Sequence, residues 1–495
     1  MNRFIPGAVA IVAAVLAAIL FAPGAALGGA RTGDGDLAAR VRDVAGDADG
    51  LHGLAVATLS DGRARLAGLG DAGDGRPVDA DTLFEPGSVT KTWTAMLFAD
   101  MLDRGEVRPA DTIGDLLPGR EFADPAVAGI TLDELASHRS GLPSLAPLGG
   151  LGNVLTPAMW RLRGTDPYAG ISRDDLLDAL GRLELRGEPG TVRYSNLGMA
   201  VLGHALAERA GTPYDRLVID RVLRPAGMTD TVFRPDGAAP PAAAATGRTA
   251  AGRPVDPWTG SGYQPAGVGG WTTASDLAAF LSATIAGTAP GAAAVAPRFE
   301  EDETSRIGYG WFTTTYGDRA ITWHNGATGG FSSYVAFEPA TGRGVVVLGN
   351  TDRSVVPIGL ALLGVTSGPG TAPERDSLFG IVLTVALLLA AAGPVVTLAF
   401  GGRVSWLPAA DRLRLVSGIA GGVGLLAAAY VLGAWLTLPG LLWAVVFGLL
   451  AGTVAAAVLR WRSLPTVGNG RTWVRWTGAA FSVAFGALLA ALAVS

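Results

Sequence analysis

The stretch Phe84-Glu85-Pro86-Gly87-Ser88-Val89-Thr90-Lys91 places a serine three residues before a lysine, and this lysine is the only one among 495 residues. The other 37 of the 38 basic residues are arginine (38 − 1). An arginine keeps its proton near neutral pH, whereas a desolvated lysine can lose it. A lysine one helical turn after a serine can therefore act as the general base that activates the serine hydroxyl. The alternative is a coincidence of spacing, so the function must rest on further motifs.

The residues around this stretch predict the start of a helix. Pro86 and Gly87 interrupt the chain, and apolar residues follow at helical spacing between Val89 and Asp103. Ser88 would then lie at the N-terminal end of the helix, where backbone N–H groups point outward.

Strand-like runs occur at both ends of the region between residues 31 and 363. Two of them flank the turn Ser60-Asp61-Gly62-Arg63 and predict a β-hairpin. Three more lie near 320–323, 331–337 and 344–348, and helical patterns at 131–136, 174–183 and 197–209 lie between the two sets of strands. The pattern predicts one α/β domain over 31–363, with a sheet completed from both ends of the chain.

Residues 1–30 have the layout of an export signal. Arg3 precedes an apolar run from Phe4 to Ala22, and small residues follow up to Ala30. The run is also long enough to be an uncleaved N-terminal anchor, and both interpretations stay open. Either way, we expect the next domain to be exported.

Four uncharged apolar stretches follow a Gly/Pro linker at 364–376. A helix of about 20 residues can cross the hydrocarbon core of a bilayer, and each stretch is long enough to do so. They predict an all-α transmembrane bundle, with spans at Ser377–Phe400, Leu415–Leu438, Leu441–Leu459 and Trp476–Val494. None contains an Asp, Glu, Lys, Arg or His residue, so we expect an anchor or a partner-docking bundle rather than a transport path.

The loops of this bundle carry an orientation signal. Arginine-rich loops stay in the cytoplasm. Two loops are rich in arginine, and they contain Arg403, Arg412, Arg414, Arg460, Arg462, Arg471 and Arg475. We therefore expect a multi-pass protein of the cell membrane, with the domain before Ser377 and the C-terminal Ser495 both outside the cell.

The composition excludes several classes of function. The net charge is −5, with no basic run before the C-terminal third, so nucleic-acid binding has no support. The absence of cysteine excludes thiol catalysis and cysteine-ligated metals. The four histidines lack metal-ligand spacing, so we expect no metal and no cofactor.

A second motif is Tyr194-Ser195-Asn196. A tyrosine and an asparagine two residues apart, just before a helix, can point the same way. A phenol near a lysine ammonium loses its proton more easily, and an asparagine amide offers both a donor and an acceptor to a peptide-like substrate. The alternative is an ordinary helix entry with Asn196 as its cap.

A third motif is His324-Asn325-Gly326-Ala327. A glycine on a strand beside a site allows a substrate backbone to approach closely, so that the N–H groups of the strand can pair with it. The alternative for His324 is a surface or half-buried histidine without a role.

In this order, the motifs resemble those of the serine β-lactamase and penicillin-binding protein superfamily. They are most similar to its class C β-lactamase, D-alanyl-D-alanine carboxypeptidase, D-aminopeptidase and esterase branch. Two further stretches match, Leu-Ala-Ser-His-Arg-Ser-Gly-Leu-Pro at 135–143 and Gly-Trp-Thr-Thr-Ala-Ser-Asp-Leu at 270–277. The resemblance covers about 35–355. It implies a β-lactamase/transpeptidase-like fold, an antiparallel sheet flanked by helices.

The resemblance also implies roles for individual residues. Ser88 would be the acylated nucleophile, Lys91 its partner in proton transfer, and Tyr194 the proton shuttle to the leaving group or water. Asn196 would bind the substrate amide. The backbone N–H groups of Ser88 and Ala327, beside Gly326, would form an oxyanion hole.

His324 stands where penicillin-recognising enzymes mostly have the lysine of Lys-Thr-Gly. A histidine with a pKa near about 6.5 would hold a substrate carboxylate only when protonated. This departure weakens the case for β-lactamase activity, and the resemblance implies that such members are often peptidases or esterases.

The sequence therefore predicts an exported, membrane-anchored serine hydrolase that cleaves an amide or ester in a small peptide, ester or cell-wall substrate, including D-amino-acid peptides. The Gly-x-Ser-x-Gly motif of α/β-hydrolases does not occur. The alternative is a catalytically idle cell-wall or peptide sensor that signals through its transmembrane bundle. The presence of Ser88, Lys91 and Tyr194 together argues against an idle site.

Overall fold

A computed structural model describes residues 4–24, 26–46, 49–73, 75–147, 164–401, 409–466 and 472–494. Arg3, Arg403, Arg471 and Ser495, on which the predicted orientation partly rests, lie outside the described residues.

Among the described residues, an antiparallel sheet of nine strands forms the centre of the domain, in the order β1-β3-β2-β11-β10-β9-β8-β7-β6. The strands are β1 Arg31–Gly33, β2 Gly53–Ser60, β3 Arg63–Gly70, β6 Phe299–Glu300, β7 Ser305–Ile307, β8 Phe312–Tyr316, β9 Arg319–Ala327, β10 Ser332–Glu338 and β11 Arg343–Gly349, and a separate pair is β4 Val232–Phe233 and β5 Gly270–Trp271. The first hairpin meets the last strand where Ala57 pairs with Val346, so the prediction of a sheet completed from both ends is confirmed. Sequence reasoning missed the short strands β1, β4, β5, β6, β7 and β8.

Helices cover both faces of this sheet. They are α2 Gly35–Ala45, α3 Thr90–Asp103, α4 Ile113–Leu116, α5 Pro125–Ala128, α6 Leu132–Ala136, α7 Arg173–Gly181, α8 Asn196–Ala210, α9 Tyr214–Val218, α10 Ala274–Ile285 and α11 Val356–Leu363. Side chains alternate between the faces of a strand. Ala55 and Ala57 of β2 therefore join one hydrophobic core, while Leu54 and Val56 join the other, with α2 and α11.

Helix α3 lies inside the larger core rather than on the surface. Every residue from Thr90 to Met101 is buried, and Trp93 and Met96 are fully enclosed. The turn that leads into it is a 3-10 helix at Gly87–Val89, where Gly87 has φ 51°. Since this left-handed conformation favours glycine, the Pro-Gly pair directs Ser88 into a fixed position at the start of a buried helix.

Strand β9 approaches this turn very closely. Strand β8 pairs with β9 only as far as Trp323, so the edge of β9 from His324 to Ala327 faces the turn. A Cβ atom on Gly326 would lie 2.1 Å from the Pro86 carbonyl oxygen and 2.9 Å from the Ser88 nitrogen. Only glycine permits this approach, which brings the third motif against the first.

Within the described part of the chain, four helices are long and apolar enough to cross a membrane, at Leu378–Phe400, Arg412–Leu432, Leu441–Ser463 and Trp473–Ala491. The α-helices that make up these four segments are α12 Leu378–Ala391, α13 Gly393–Phe400, α14 Arg412–Leu432, α15 Leu441–Arg460 and α16 Thr472–Val494. Helix α14 ends six residues before the predicted end of its span at Leu438. The indole N–H of Trp435 accounts for this end, because it donates to the terminal carbonyls of Ala429 and Tyr430, each at 3.1 Å.

The N-terminal apolar run forms a helix, α1 Ile5–Leu20, which packs along α15. The contact is made by small residues: Cβ atoms on Gly448 and Gly452 would lie 2.6 and 2.8 Å from the methyl groups of Ala14 and Ala10. Small residues four apart allow two membrane helices to approach closely.

The close approach of β9 to the turn before α3 predicts that the stability of the protein is sensitive to substitution of Gly326. Gly326→Ala should lower the free energy of unfolding by about 1–3 kcal/mol, because the added methyl group meets backbone atoms that cannot move away. Gly35→Ala is the matched control, since its Cβ meets nothing within 4 Å at the first residue of a helix. Chemical denaturation of the full chain in detergent should show a loss for the first variant only. Equal stabilities would contradict the close approach.

Candidate active site

Ser88 and Lys91 form the centre of the site. The Nζ atom of Lys91 lies 2.8 Å from the Ser88 Oγ atom and 2.5 Å from the Ala266 carbonyl oxygen. Lys91 is fully buried, and this loss of hydration lowers its pKa well below the usual 10.5. Burial thus favours the neutral amine, which can accept the proton of the Ser88 hydroxyl.

Tyr194 reaches the same serine from the other side. Its hydroxyl is hydrogen-bonded to Ser88, and the Lys91 Nζ atom lies 5.0 Å from the centre of its ring. Although 40% of the residue is exposed, the hydroxyl end is desolvated, which raises the pKa of Tyr194, while the bond to Ser88 opposes this rise. The prediction that a lysine ammonium would lower this pKa is wrong, because burial disfavours charge on both groups.

The second motif enters helix α8 with Ser195, not Asn196, as its cap. The Ser195 hydroxyl accepts from the Gly198 N–H at 2.9 Å and donates to the Pro143 carbonyl at 2.7 Å. The alternative of Asn196 as a cap is therefore wrong. Asn196 begins the helix and lines the same small pocket as Ser88, where its amide is available to a ligand.

His138 holds Tyr194 in place through hydrogen bonds to the residue before it and the residue after it. Its carbonyl accepts the Arg193 N–H at 2.7 Å, and its Nδ1 atom accepts the Ser195 N–H at 3.2 Å. Its ring lies 4.6 Å from the Tyr194 ring, measured between centroids. Burial lowers the pKa of His138 well below 6.5, which keeps Nδ1 an acceptor.

The backbone of His138 is unusual as well, since its φ of 57° is rare for a residue other than glycine. The sequence contained the motif around His138 but no signal for its role as a positioning residue. Both its left-handed backbone and its contact with a segment over 50 residues away arise only in the folded chain.

His324 is buried beside Tyr194, with ring centroids 6.3 Å apart and only 1% of the residue exposed. Its Nδ1 atom lies 2.6 Å from the Asn325 carbonyl oxygen, so this nitrogen carries the proton. Burial lowers the pKa of His324 to about 3. The ring is neutral at physiological pH, so the predicted titration near pH 6–7 is wrong, as is the alternative of a surface or half-buried histidine.

The end of β9 presents a backbone donor to the site. The Thr328 N–H bonds to the Phe331 carbonyl at 2.9 Å. Because hydrogen-bonded and non-hydrogen-bonded pairs alternate in an antiparallel ladder, the adjacent Ala327 N–H points away from β10. A Cβ on Gly87 would lie 2.8 Å from that Ala327 nitrogen, so the donor faces the turn that carries Ser88.

Glu85 is a buried acid behind the site that sequence reasoning did not single out. One of its carboxyl oxygens accepts a hydrogen bond from the backbone N–H of Trp258, and the other accepts one from the Thr328 hydroxyl, both at 2.7 Å. Burial raises the pKa of Glu85 to about 8. Through Thr328 it fixes the residue after Ala327, and through Trp258 it fixes a wall of the pocket.

The pocket at Ser88 has a volume of about 110 Å³. Ser88, Asn196 and Ala327 line it together with an aromatic wall of Tyr168, Trp258 and Tyr263. The Tyr168 ring lies 5.0 Å from each of the other two. Among the described residues, no three His, Asp or Glu side chains are grouped as metal ligands.

Comparison with known proteins decides the family. The sequence pattern of the beta-lactamase family matches residues 37–361. The chain belongs to the beta-lactamase family. This is a family of serine hydrolases, and the resemblance inferred from the motifs is confirmed.

Several named proteins are similar to this beta-lactamase family member in sequence. It is 30% identical over 192 residues to penicillin-binding protein 4 of Amycolatopsis lactamdurans, and 28% identical over 190 residues to the D-alanyl-D-alanine-carboxypeptidase/endopeptidase AmpH of Escherichia coli K12. These matches cover 38% of this chain and 46% of either relative, so the chain spans less than half of their length. A beta-lactamase of Pseudomonas fluorescens is 27% identical over 61% of this chain and 88% of its own.

Two solved structures share the fold. A class C beta-lactamase of Rhodobacter sphaeroides superimposes with a TM-score of 0.53 at 23% identity, over 64% of this chain and 95% of its own. The D-alanine carboxypeptidase AmpC of Burkholderia cenocepacia gives 0.55 at 26%, over 66% of this chain and 99% of its own. The predicted β-lactamase/transpeptidase-like fold is therefore confirmed.

Burial of Glu85 predicts a pH-dependent stability. Its pKa in the folded state, about 8, lies above the usual 4.5, so the unfolded chain loses this proton first as pH rises. The stabilising contribution is complete below about pH 4.5 and declines by about 1.4 kcal/mol per pH unit up to about pH 8. Relative to wild type, Glu85→Gln should therefore gain free energy of unfolding between pH 5 and pH 8.

The matched control for this variant is Glu338→Gln. The ion pair with Arg319 lowers the pKa of Glu338, so its contribution changes only in acid, below pH 4.5. Denaturation of the full chain at five pH values between 5 and 9 measures both differences from wild type. A difference for Glu85→Gln that is independent of pH would show that Glu85 is already ionised in the folded state.

Proposed function

We propose that the protein is an exported, membrane-anchored serine hydrolase that cleaves an amide or ester through an acyl-enzyme on Ser88. The observation that carries this proposal is the buried Lys91 amine, which lies 2.8 Å from the Ser88 Oγ atom and whose pKa is lowered well below 10.5 by burial. A neutral amine next to a hydroxyl is a general base, and general acid–base groups contribute roughly 10²–10⁴ to rate.

In the first half of the reaction, the Ser88 Oγ atom bonds to the substrate carbonyl carbon while its proton moves to Lys91. The N–H groups of Ser88 and Ala327 stabilise the oxyanion that forms. The bond to the leaving group then breaks. Tyr194, whose hydroxyl touches Ser88, donates a proton to the leaving atom and regains one from Lys91.

In the second half, water takes the place of the leaving group. As water attacks the carbonyl carbon of the acyl-enzyme ester, Tyr194 accepts one proton from it and passes its own proton to Lys91. The bond between that carbon and the Ser88 Oγ atom then breaks, and Lys91 returns the proton to the Ser88 oxygen. Asn196, in the same pocket as Ser88, would bind the amide of the acyl group.

The environment of His324 restricts the class of substrate that the site favours. A neutral histidine does not supply the permanent charge with which a lysine holds a carboxylate. Peptidase or esterase activity is therefore favoured over penicillin turnover. Among the relatives is a D-alanyl-D-alanine carboxypeptidase/endopeptidase, which makes a cell-wall peptide a candidate alongside simple esters.

The membrane orientation rests on the loops and on their contacts. The Arg412 N–H bonds to the Pro465 carbonyl at 2.9 Å, and Arg475 pairs with Asp411, so the two arginine-rich loops meet at one end of the bundle. The Thr437 N–H bonds to Asp376 at the opposite end, next to the hydrolase domain. This arrangement supports an extracytoplasmic hydrolase domain.

The role of Lys91 can be tested with Lys91→Arg in the full chain. Arginine keeps the positive charge but cannot act as a base, so hydrolysis of p-nitrophenyl acetate should fall by about 10²–10⁴. Ser88→Ala gives the background rate, and Lys91→Met provides a second, uncharged side chain where arginine does not fit. A thermal melt checks folding.

The acyl-enzyme can be located by mass spectrometry after incubation with a fluorophosphonate. Labelling of Ser88 in the wild type supports the hydrolase. A folded wild type that is not labelled, with Lys91→Arg within tenfold of its esterase rate, would favour the idle sensor instead.

The packing of α1 on α15 supports an anchor that is retained rather than a cleaved signal peptide. The intact mass of the purified full chain should therefore include residues 4–22. Gly448→Leu should destabilise the protein in detergent, because the side chain displaces α1. Gly478→Leu on α16 is the control, since its Cβ meets nothing within 4 Å. A mature N-terminus between residues 25 and 31 would refute the retained anchor.

A further inference from the structure

A second cavity, of about 480 Å³, lies between the hydrolase domain and the outer end of the membrane helices. Its upper wall includes the segment Ala327–Gly329, which begins at the last residue of strand β9. Its lower wall is formed by Val431 and Leu432 at the end of α14 and by Trp435 and Leu436 in the turn that follows.

Contacts on several sides hold these two walls together. The Gly24 N–H bonds to the Ala251 carbonyl at 3.0 Å, and Ala251 packs against the core of the membrane bundle. Asp376 accepts the Thr437 N–H at 2.8 Å. The hydrolase domain therefore has a defined interface with the bundle, and the cavity lies in that interface.

The cavity lies next to the nucleophile pocket, since Ala327 lines both. The direction of the substrate follows from Tyr194, which protonates the leaving group and lies near His324, at the other end of the segment 324–327. The leaving group therefore faces His324. The acyl group extends in the opposite direction, past Ala327 and into the cavity.

The lining of the cavity changes from polar to apolar toward the membrane. Arg253, Asp352 and Glu374 lie near the hydrolase domain, whereas Leu432 and Leu436 lie at the end of a membrane helix. Trp435 stands at the same level, as is common at the boundary between hydrocarbon and water. A ligand that matches this lining has a polar part beside its scissile bond and an apolar tail that continues into lipid.

We propose that this cavity binds the acyl part of a membrane-anchored amphiphile, a lipid-linked amide or ester, so that its tail stays in the bilayer while its carbonyl reaches Ser88. The proposal rests on the serine hydrolase function inferred above. Hydrolysis would release the polar leaving group and keep the acyl product in the membrane.

The test uses the full chain in phosphatidylcholine nanodiscs and two reporters that differ only in acyl chain, p-nitrophenyl acetate and p-nitrophenyl dodecanoate. Leu432→Trp fills the cavity, and Val431→Phe is a second filler from the same wall. Leu442→Trp is the matched control, because Leu442 is similarly exposed at the same end of the bundle, 41% against 43% for Leu432, and does not line the cavity.

The measured quantity is kcat/KM for dodecanoate divided by kcat/KM for acetate. A clash with a few methylene groups changes such a ratio by roughly 10–200-fold. We expect both filling variants to lower it at least tenfold with the acetate rate unchanged, and Leu442→Trp to leave it unchanged. The acetate rate also reports that each variant is folded.

Two other outcomes have distinct meanings. If acetate is hydrolysed in a Ser88-dependent manner but the filling variants leave the ratio within twofold of wild type, the membrane-side cavity is not the acyl site. The same conclusion follows if Leu442→Trp lowers the ratio equally. If Ser88→Ala hydrolyses acetate as fast as wild type, the hydrolase proposal itself fails.

Discussion

The structure depends on the burial of one amine. Lys91 is the only lysine of the chain, and it lies fully enclosed in a helix that is itself surrounded by core residues. In water this side chain would be charged, and transferring that charge into a protein interior is costly. The interior therefore favours the neutral form, and the Ser88 hydroxyl and the Ala266 carbonyl satisfy its polar nitrogen. The same burial that encloses α3 thus lowers the pKa of this amine.

The groups around this amine follow the same rule. Burial lowers the pKa of His138 and His324 and raises the pKa of Tyr194 and Glu85. Each shift favours the uncharged form. A site of neutral donors and acceptors can move a proton between neighbours without separating stable ion pairs, and charge that develops on a substrate meets few competing charges.

Precise positions in this site come from backbone contacts between distant segments. Gly326 allows β9 to lie against the Pro86 carbonyl, and Glu85 fixes both Thr328 and Trp258. His138 fixes Tyr194 through the amides on either side of it. At the other end of the site, Ala327 lines both the nucleophile pocket and a second cavity beside the apolar C-terminal helices.

The sequence by itself determined the fold class, the apolar helices and the grouping of Ser88, Lys91, Tyr194 and the third motif, because these depend on periodicity and on residue types that the chemistry requires. Among the strands that it missed, β6–β8 are short segments between 299 and 316 that carry little alternation of their own. They are stabilised by pairing in succession, β8 with β9, β7 with β8 and β6 with β7. It misjudged the charge of His324 and Tyr194, since a pKa depends on what buries the group. The roles of His138 and Glu85 were decided only by tertiary structure, because each acts on residues far away in sequence, and no local pattern records such a contact.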